Sequence, residues 1–406
     1  VKDGKWKQGF VKLACKTRSP ILPVLIDARN SAMFYSLSAL YKPLGTMMLI
    51  HEMFNKENKE ISFHIGKPVD SRTIKIMDMG YKKLAQRFRK HLYQLNKKNQ
   101  KNNKPLFRTI ETIKHPVERQ ALKQALFASE KLGETKDGKV IFLCEYSHGS
   151  AVMQEIGRLR ELTFRSVEEG TGTSTDLDIY DSYYRHIVLW DENDLEIVGA
   201  YRLGECGDIV KQRGVEGLYT HSLFKMDSSF ESYFSTTIEL GRSFVQPRYW
   251  GSRSLDYLWY GIGAYLRNHS HIKYLLGPVS LSNAYSDEAK QLILWFYKQQ
   301  LGQLHSLAKA RHPYSFDPSL RNYFKESYKI SFSKLSKLLE AYNVKVPVLY
   351  KQYADLCDDK GCHFIDFSID PDFNNCIDSL ILVDLSKVKR KKYSRYVNNP
   401  LNTFSK

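Results

Sequence analysis

The sequence contains no CxxC pair and no long apolar run. It contains one basic block, in which acidic residues are almost absent. Its six cysteines are scattered, and the closest approach to a metal-binding spacing, Cys357–Cys362–His363, has no matching second half. This pattern excludes a disulfide framework and a zinc site of the usual spacing, so we expect reduced cysteines, no metal and a cytoplasmic protein. No apolar run reaches the roughly 20 residues of a membrane-spanning helix.

The composition is that of a globular protein. Hydrophobic residues make up 42% and aromatic residues 13% of the chain. Its length of 406 residues is enough for two or three domains. The net charge of +17 is uneven, because residues 71–104 hold eleven Lys and Arg and a single acid, Asp78. Such a block is typical of a solvated linker, a contact with anionic lipid or a contact with an acidic partner. The charge sits in one helix and a linker and not along a face studded with aromatic residues, so nucleic acid is not an expected partner.

A polar segment, NKKNQKNNK (Asn96–Lys104), predicts a domain boundary. We divide the chain into a partial α/β domain (1–95), a linker (96–118) and a second domain (119–406). Residues 71–95 predict an amphipathic helix, which either packs on its own domain or lies on anionic lipid. In the second domain, helices are predicted at 115–131, 151–167, 255–266 and 287–300, and strands at 139–145, 186–191, 196–203, from 238 and at 274–280. Strands that alternate with helices in this way predict a mixed α/β sheet flanked by helices. A loop rich in Gly, Thr and acids is expected at 168–178.

The stretch IELGRSFVQPRYWGSR (Ile238–Arg253) has the clearest functional pattern. It begins as a strand whose alternation predicts one face with Ile238, Leu240 and Phe244 and another with Glu239, Gly241, Ser243 and Val245. Pro247 and Gly251 end the strand before a helix. The start of that helix, with Arg248 and Arg253, suits a phosphate or pyrophosphate beside a reacting carbonyl, as in an acyl group carried on pantetheine. A buried Glu–Arg pair with a surface turn explains the same residues equally well.

Further charged residues precede or end the neighbouring strands. They are Asp178 and Asp181 before one strand, Arg202 at the end of the next, Glu239 and Arg242 within a third, and Arg165 at the end of a helix. Carboxylates can hold an ammonium group, a partly desolvated Glu can accept a proton from an attacking amine, and arginines bind a carboxylate bidentately. A structural network of ion pairs is the alternative for each residue.

Five motifs in order resemble one branch of the GNAT superfamily. RxxxFR (160–165), DxYD (178–181), VGAYRL (198–203), ELGRSFV (239–245) and GPVSLS (277–282) are similar to the branch of acyl-homoserine lactone synthases and ornithine N-acyltransferases, over roughly residues 119–390. ELGRSFVQPRYW favours the ornithine-lipid members. The resemblance implies a GNAT-like mixed central sheet. It also implies an enzyme that moves a (3-hydroxy)fatty acyl group from acyl carrier protein to the α-amine of ornithine or a similar amino acid, without a cofactor.

The resemblance also implies roles for individual residues. Glu239 becomes the candidate base, with Arg202 and Arg242 organising the site. Substrate binding falls to Arg165, Asp178, Asp181 and Ser280, and acyl-pantetheine binding to Ser243, Val245, Gln246, Arg248 and Arg253. Because the loop after the strand departs from the superfamily's Q-x-x-G-x-G/A form, a carrier-protein donor is favoured over free coenzyme A.

The N-terminal segment resembles a second enzyme. Lys2–Ser31, with SPILPV at Ser19–Val24, is similar to the latter half of a glycerolipid acyltransferase domain that acylates lysophosphatidate. That family's H-x4-D and F-P-E-G-T-type blocks are not in the chain, so we expect the native N-terminus upstream and this module to be inactive as given. The string His186–Asp191 matches H-x4-D by chance, since its side chains fall on opposite faces of a strand.

Together, the two parts resemble the bacterial bifunctional ornithine-lipid synthases. We expect a peripheral protein on the inner face of the membrane that contacts anionic lipid and acyl carrier protein. Two alternatives stay open: an autoinducer synthase that uses S-adenosylmethionine, and a non-catalytic membrane-associated scaffold.

Overall fold

The computed structural model describes residues 4–55, 60–77, 79–95, 106–147, 149–304, 306–358 and 360–398. The chain forms two compact units, Val1–Thr112 (unit 1) and Ile113–Lys406 (unit 2). The predicted linker core, Asn96–Lys104, lies outside the described residues. None of the helices in the described ranges is long and apolar enough to cross a membrane.

Unit 1 is a small α/β unit. Its elements are α1 (Gly9–Thr17), β1 (Val24–Asp27), α2 (Ala32–Leu40), α3 (Lys42–Phe54), β2 (Ser62–Ile65), α4 (Ser71–Ile76) and α5 (Tyr81–Tyr93). Strands β1 and β2 pair antiparallel.

The amphipathic segment 71–95 is two helices and not the single helix predicted. Gly80 is the N-cap of α5, with extended backbone angles that interrupt the helical path. Leu84 and Phe88 of α5 are buried against Val11 and Phe107, so the apolar face packs within its own unit. The first of the two alternatives therefore holds for this face.

Unit 2 contains the predicted mixed sheet, which has eight strands within the described residues. In spatial order the strands are β11 (Cys362–Asp370), β12 (Cys376–Asp384), β9 (Tyr274–Leu281), β8 (Thr237–Val245), β6 (Glu196–Glu205), β5 (Arg185–Asp191), β4 (Val140–Cys144) and β3 (Glu130–Glu134). Every neighbouring pair is antiparallel except β8 and β9. A separate pair joins β7 (Phe224–Met226) to β10 (Ala308–Ala310).

Helices cover both faces of this sheet. They are α6 (Arg119–Phe127), α7 (Ala151–Ser166), α8 (Cys206–Arg213), α9 (Tyr219–Leu223), α10 (Glu231–Phe234), α11 (Ser254–Asn268), α12 (Asp287–Leu301), α13 (Tyr328–Glu340), α14 (Val348–Ala354) and α15 (Arg390–Tyr393). Alternate residues of β5 enter different apolar clusters: Ile187 and Leu189 pack with α11 and α12, and Val188 and Trp190 pack with α6 and α7. The mixed α/β sheet flanked by helices is thus confirmed.

Strands β8 and β9 separate after a short stretch of pairing. They are hydrogen-bonded in parallel only at residues 237–239 and 274–276, and beyond these they diverge into a wedge. Gly277 stands where the strands begin to part. A Cβ at this position would lie 2.0 Å from the carbonyl oxygen of Leu240, so only glycine allows this close approach.

A β-bulge changes the faces of β8. Ala200 pairs with Phe244 and Arg202 with Gly241, so Arg242 and Ser243 together oppose one residue of β6. Arg242 has a left-handed φ of 49°. The predicted alternation is therefore wrong beyond Gly241, because the extra residue turns Phe244 to the face of Glu239 and away from that of Leu240.

Candidate active site

The wedge between β8 and β9 opens into a cavity of about 90 Å³. Its walls include Gly241, Arg242 and Ser243 from β8 and Pro278, Val279 and Ser280 from β9; Phe164, Glu169, Tyr201, Tyr219, Leu349, Phe373 and Asp378 complete them. A second cavity of about 450 Å³ shares Tyr219, Arg242 and Phe373 with the first. Arg242 thus stands where the two cavities meet.

The Arg242 guanidinium is held by two acids and two rings. Its Nη2 is 3.2 Å from Asp178 Oδ2 and its Nε is 3.7 Å from Asp176 Oδ2. The guanidinium lies 4.5 Å from the ring centre of Phe373 and 5.0 Å from that of Tyr219. Burial is the largest single influence and opposes the charge, but Asp176, Tyr219, Asp178 and Asp181 together outweigh it and raise the pKa of Arg242 well above its ordinary value. This guanidinium is therefore a permanent cation in the cavity wall.

Arg202 lies deeper and lines neither cavity. It is 1% exposed, pairs with Asp178 and Asp181, and packs on the ring of Tyr219. Asp178 and Asp181 also form a reciprocal capping box around the turn Ile179–Ser182. The structure thus brings Arg202, Arg242, Asp178 and Asp181 together, as a network that braces the cavity floor.

The helix α7 contributes a different arginine from the one predicted. Arg165 pairs with Glu161 of its own helix at 2.6 Å. Arg160 instead reaches Asp181 at 2.8 Å, fully buried, beside His186. Burial lowers the pKa of His186 to about 4, so its ring is neutral at pH 7. Arg160 is the first residue of the RxxxFR motif, so this motif is the sequence signal that could have identified it.

Glu239 is 1% exposed and lines neither cavity. Its carboxylate accepts hydrogen bonds from the Tyr184 hydroxyl, from Tyr219 N–H at 3.1 Å and from Thr220 N–H at 2.6 Å. These donors hold the start of α9 and so position Tyr219, whose ring packs on Arg242. This is the geometry of a structural carboxylate, and its role as a base stays a prediction.

The residues predicted to bind acyl-pantetheine do not all line the wedge cavity. Ser243 lines the small cavity, whereas the Val245 carbonyl accepts the Trp250 indole N–H at 2.7 Å. The Gln246 amide is buried and donates to the carbonyl of Ile197.

The two arginines of the following loop carry ion pairs of their own. Arg248 pairs with Asp194 and Glu196, both at 2.8 Å, and Arg253, the N-cap of α11, lies 3.5 Å from Asp256. Both are at least half exposed. Acids of the same surface therefore offset their charge, and neither arginine lines the wedge cavity.

Two carboxyl groups in the wedge cavity were missed in the sequence. Burial, reinforced by Asp378, raises the pKa of Glu169 to about 8. Burial, reinforced by Asp370, raises that of Asp378 to about 7, and the Ser280 hydroxyl donates to Asp378 at 2.9 Å. Glu169 follows α7 in the loop predicted at 168–178, and Asp378 lies on β12, in a segment to which the sequence assigned no chemistry. The predicted Ser280 does lie at the cavity, beside both.

Comparisons with known proteins bear on this site. A sequence model of the acetyltransferase (GNAT) domain matches residues 159–260. A glycine N(alpha)-acyltransferase of Bacteroides thetaiotaomicron is 30% identical over 309 residues, which cover 71% of this chain and 90% of that protein. An L-ornithine N(alpha)-acyltransferase of Brucella abortus is 30% identical over 136 residues, covering 32% of this chain and 45% of that protein.

A shorter similarity concerns a different class of enzyme. A lyso-glycine lipid O-acyltransferase of Phocaeicola vulgatus is 33% identical over 79 residues, covering 18% of this chain and 28% of that protein. No solved structure matches the chain significantly.

Proposed function

Because this chain belongs to the family of the glycine N(alpha)-acyltransferases and is an acyltransferase with a GNAT domain, we propose that it joins a fatty acyl group to the amino group of glycine. The product, an N-acylated amino acid, is the monoacyl precursor of an aminolipid. The observation that carries the proposal is the wedge between β8 and β9, which opens into a small polar cavity beside Arg242.

The wedge suits an acyl thioester. Pairing with β9 ends at Glu239, so beyond this point the β8 backbone is free to bond an extended pantetheine arm, as it would bond another strand. A thioester carbonyl seated beside Gly241–Ser243 then lies next to the cavity that receives the amine. Backbone N–H groups at a bulge can stabilise the oxyanion that develops during attack.

The cavity favours a small acceptor. A volume of about 90 Å³ is on the order of a few water molecules, which matches glycine better than an amino acid with a long side chain. The Arg242 guanidinium supplies a partner for the acceptor's carboxylate, and Glu169 and Asp378 supply partners for its ammonium group. Sequence patterns favoured ornithine or a similar amino acid, so ornithine is the first competitor to test.

The donor we propose is acyl carrier protein. Arg248 and Arg253, at the position where a GNAT enzyme would hold a pyrophosphate, are engaged by Asp194, Glu196 and Asp256. Free coenzyme A would have to compete with these acids for the arginines. A carrier protein brings its own pantetheine and binds through a larger, acidic surface, for which the chain's net charge of +17 is favourable.

Unit 1 suggests a link between two acylations. Its resemblance to a glycerolipid acyltransferase, and the 79-residue similarity to a lyso-glycine lipid O-acyltransferase, support a protein in which an ester-forming domain is joined to the amide-forming one. We propose that the amide made by unit 2 is the substrate of such a domain at the membrane surface.

The test is a reconstitution with a panel of acceptors. The purified chain is incubated with a 3-hydroxyacyl carrier protein, or with the same acyl group on coenzyme A, and with glycine, ornithine, lysine or glutamine, and products are identified by mass spectrometry. N-acylglycine formed faster than N-acylornithine, and faster from the carrier protein, is the expected result. A lactone formed from S-adenosylmethionine would establish the autoinducer alternative. No product from any acceptor would favour the scaffold.

A further inference from the structure

A turn at the end of α7 directs Glu169 into the wedge cavity. Glu168 has a left-handed φ of 67°, and the Glu169 N–H donates to the carbonyl of Phe164 at 2.8 Å. This closes the helix C-terminus and reverses the chain. The Glu169 side chain then lines the cavity together with Asp378, Arg242 and Ser280.

The carboxyl of Glu169 is buried without a hydrogen-bond donor. It is 9% exposed, and no group among the described residues donates a hydrogen bond to it. Leaving a buried polar group unpaired is costly, and more so for a charge. Glu239, on β8, by contrast accepts hydrogen bonds from three donors. A carboxyl without a donor at the wall of a cavity is the arrangement expected of a group that bonds a ligand.

The groups that face Glu169 keep it able to take up a proton. Asp378, from β12, opposes its negative charge, and Arg242, from β8, favours it. Tyr285, Tyr350 and Cys376 are close enough for Glu169 to raise their own pKa values, after burial, so all three are neutral near pH 7. With burial as the largest cause, the pKa of Glu169 rises to about 8. A base works best when its pKa lies near the working pH.

We propose that Glu169 is the catalytic base that accepts a proton from the acceptor's amino group as its nitrogen attacks the acyl thioester. This rests on the proposed function and deepens it. The neutral form of the amino group attacks. The C–N bond forms and the C–S bond breaks, the nitrogen gives one proton to the Glu169 carboxylate, and this proton passes to the departing pantetheine thiolate, which leaves as the thiol. Asp378 lines the same cavity, accepts a hydrogen bond from Ser280 and, through its negative charge, helps to keep Glu169 basic.

The experiment compares the full chain with Glu169→Gln, Glu169→Asp and a matched control, Glu168→Gln. Glu168 is the adjacent acid of the same turn and lines neither cavity. Rates of N-acylglycine formation are measured from pH 6 to 9.5, with circular dichroism to check folding. We expect Glu169→Gln to lower kcat about 10²–10⁴-fold with a small change in KM for glycine, and to remove the part of the ascending limb near pH 8 that belongs to Glu169, while the ascent due to the substrate's own amino group remains. Glu169→Asp should keep that limb with a smaller loss, and Glu168→Gln should behave as the parent.

Several outcomes would overturn the proposal. If Glu169→Gln is folded and retains kcat within about twofold, or keeps the ascending step near pH 8, Glu169 is not the base. An equal loss in Glu168→Gln would indicate an effect of the turn. If the parent chain makes N-acylornithine and no N-acylglycine, the acceptor assignment fails, whereas the Glu169 comparison, repeated with ornithine, still decides the role of the base. If the parent chain acylates no amine, both proposals fail.

Discussion

The buried charges of unit 2 have two kinds of surroundings. Arg160 and Arg202 share Asp181 in the buried interior and Arg202 also pairs with Asp178, whereas Arg242 has its acids on one side and a cavity on the other. Removing one partner of a buried ion pair leaves the other uncompensated, which costs more than the pair itself contributes. Mutation of Arg242, which is buried among acids, should therefore affect stability differently from mutation of Arg248, which lies exposed in the same stretch, Ile238–Arg253.

We expect Arg242→Ala to lower the free energy of unfolding by about 3–5 kcal/mol, because buried Asp176 loses the cation that faces it. The control, Arg248→Ala, removes two exposed ion pairs that solvent screens and should leave the free energy of unfolding almost unchanged. Urea denaturation measures both. Equal losses in the free energy of unfolding would show that burial does not make the ion pairs of Arg242 more important than those of Arg248.

Glu239 and Glu169 can be separated by the kind of defect each mutation produces. Glu239→Gln exchanges one acceptor oxygen for a donor that faces Thr220 or Tyr219 N–H, so we expect the free energy of unfolding to fall by about 1–3 kcal/mol. The ascending limb of the pH–rate profile should persist. A stable Glu239→Gln protein that has lost this limb would instead support the base role predicted from the resemblance.

Among the elements, β8 organises the site. Its bulge aims Arg242 at the wedge, and its close contact with Gly277 determines where β9 leaves it. Bulges next to active sites commonly redirect a side chain in this way. The strand therefore places a cation, an unpaired backbone edge and a small cavity within a few residues.

Gly277→Ala should loosen this junction. The new Cβ would stand 2.0 Å from the Leu240 carbonyl oxygen, so the strands have to move apart, at a cost of about 1–3 kcal/mol or more. Gly9→Ala is the control, because its Cβ would meet nothing within 4 Å. Thermal unfolding should separate the two clearly. A Gly277→Ala protein as stable as the parent would mean that β8 and β9 part more freely than the structure indicates.

At the scale of the whole molecule, the two units have separate cores. The core of unit 1 includes Val11, Leu84 and Phe88, and those of unit 2 are built on the sheet. Every residue of the proposed site belongs to unit 2. Independent cores are the property that allows domains to fold alone.

We expect residues 113–406, expressed without unit 1, to fold and to form N-acyl amino acid at the rate of the full chain. The comparison is made in solution with acyl carrier protein, and a second one adds anionic vesicles. A folded unit 2 that is inactive in solution would show that unit 1 contributes to the amide-forming site, against the assignment made here.

The sequence by itself determined the sheet's elements and the motifs of the site. Strong alternation and long periodic helices depend on local chemistry, so β5, β6, β8, α11 and α12 were predicted close to their observed bounds. The order of the acidic and basic motifs was sufficient to indicate an acyltransferase of the GNAT type. The predicted helix at 115–131 was too long, because Glu130–Glu134 pairs with β4 and so becomes a strand.

Only the tertiary structure decided which charged groups line the wedge cavity. A bulge moves Phe244 across the sheet, hydrogen bonds from a distant turn occupy Glu239, and β12 brings Asp378 to a loop residue, Glu169, more than two hundred positions away in the chain. Burial and the distance between charges set proton affinity, and both depend on how separate segments pack. The residue type of Glu169 is visible in the sequence, but its lack of a donor is a property of the folded chain.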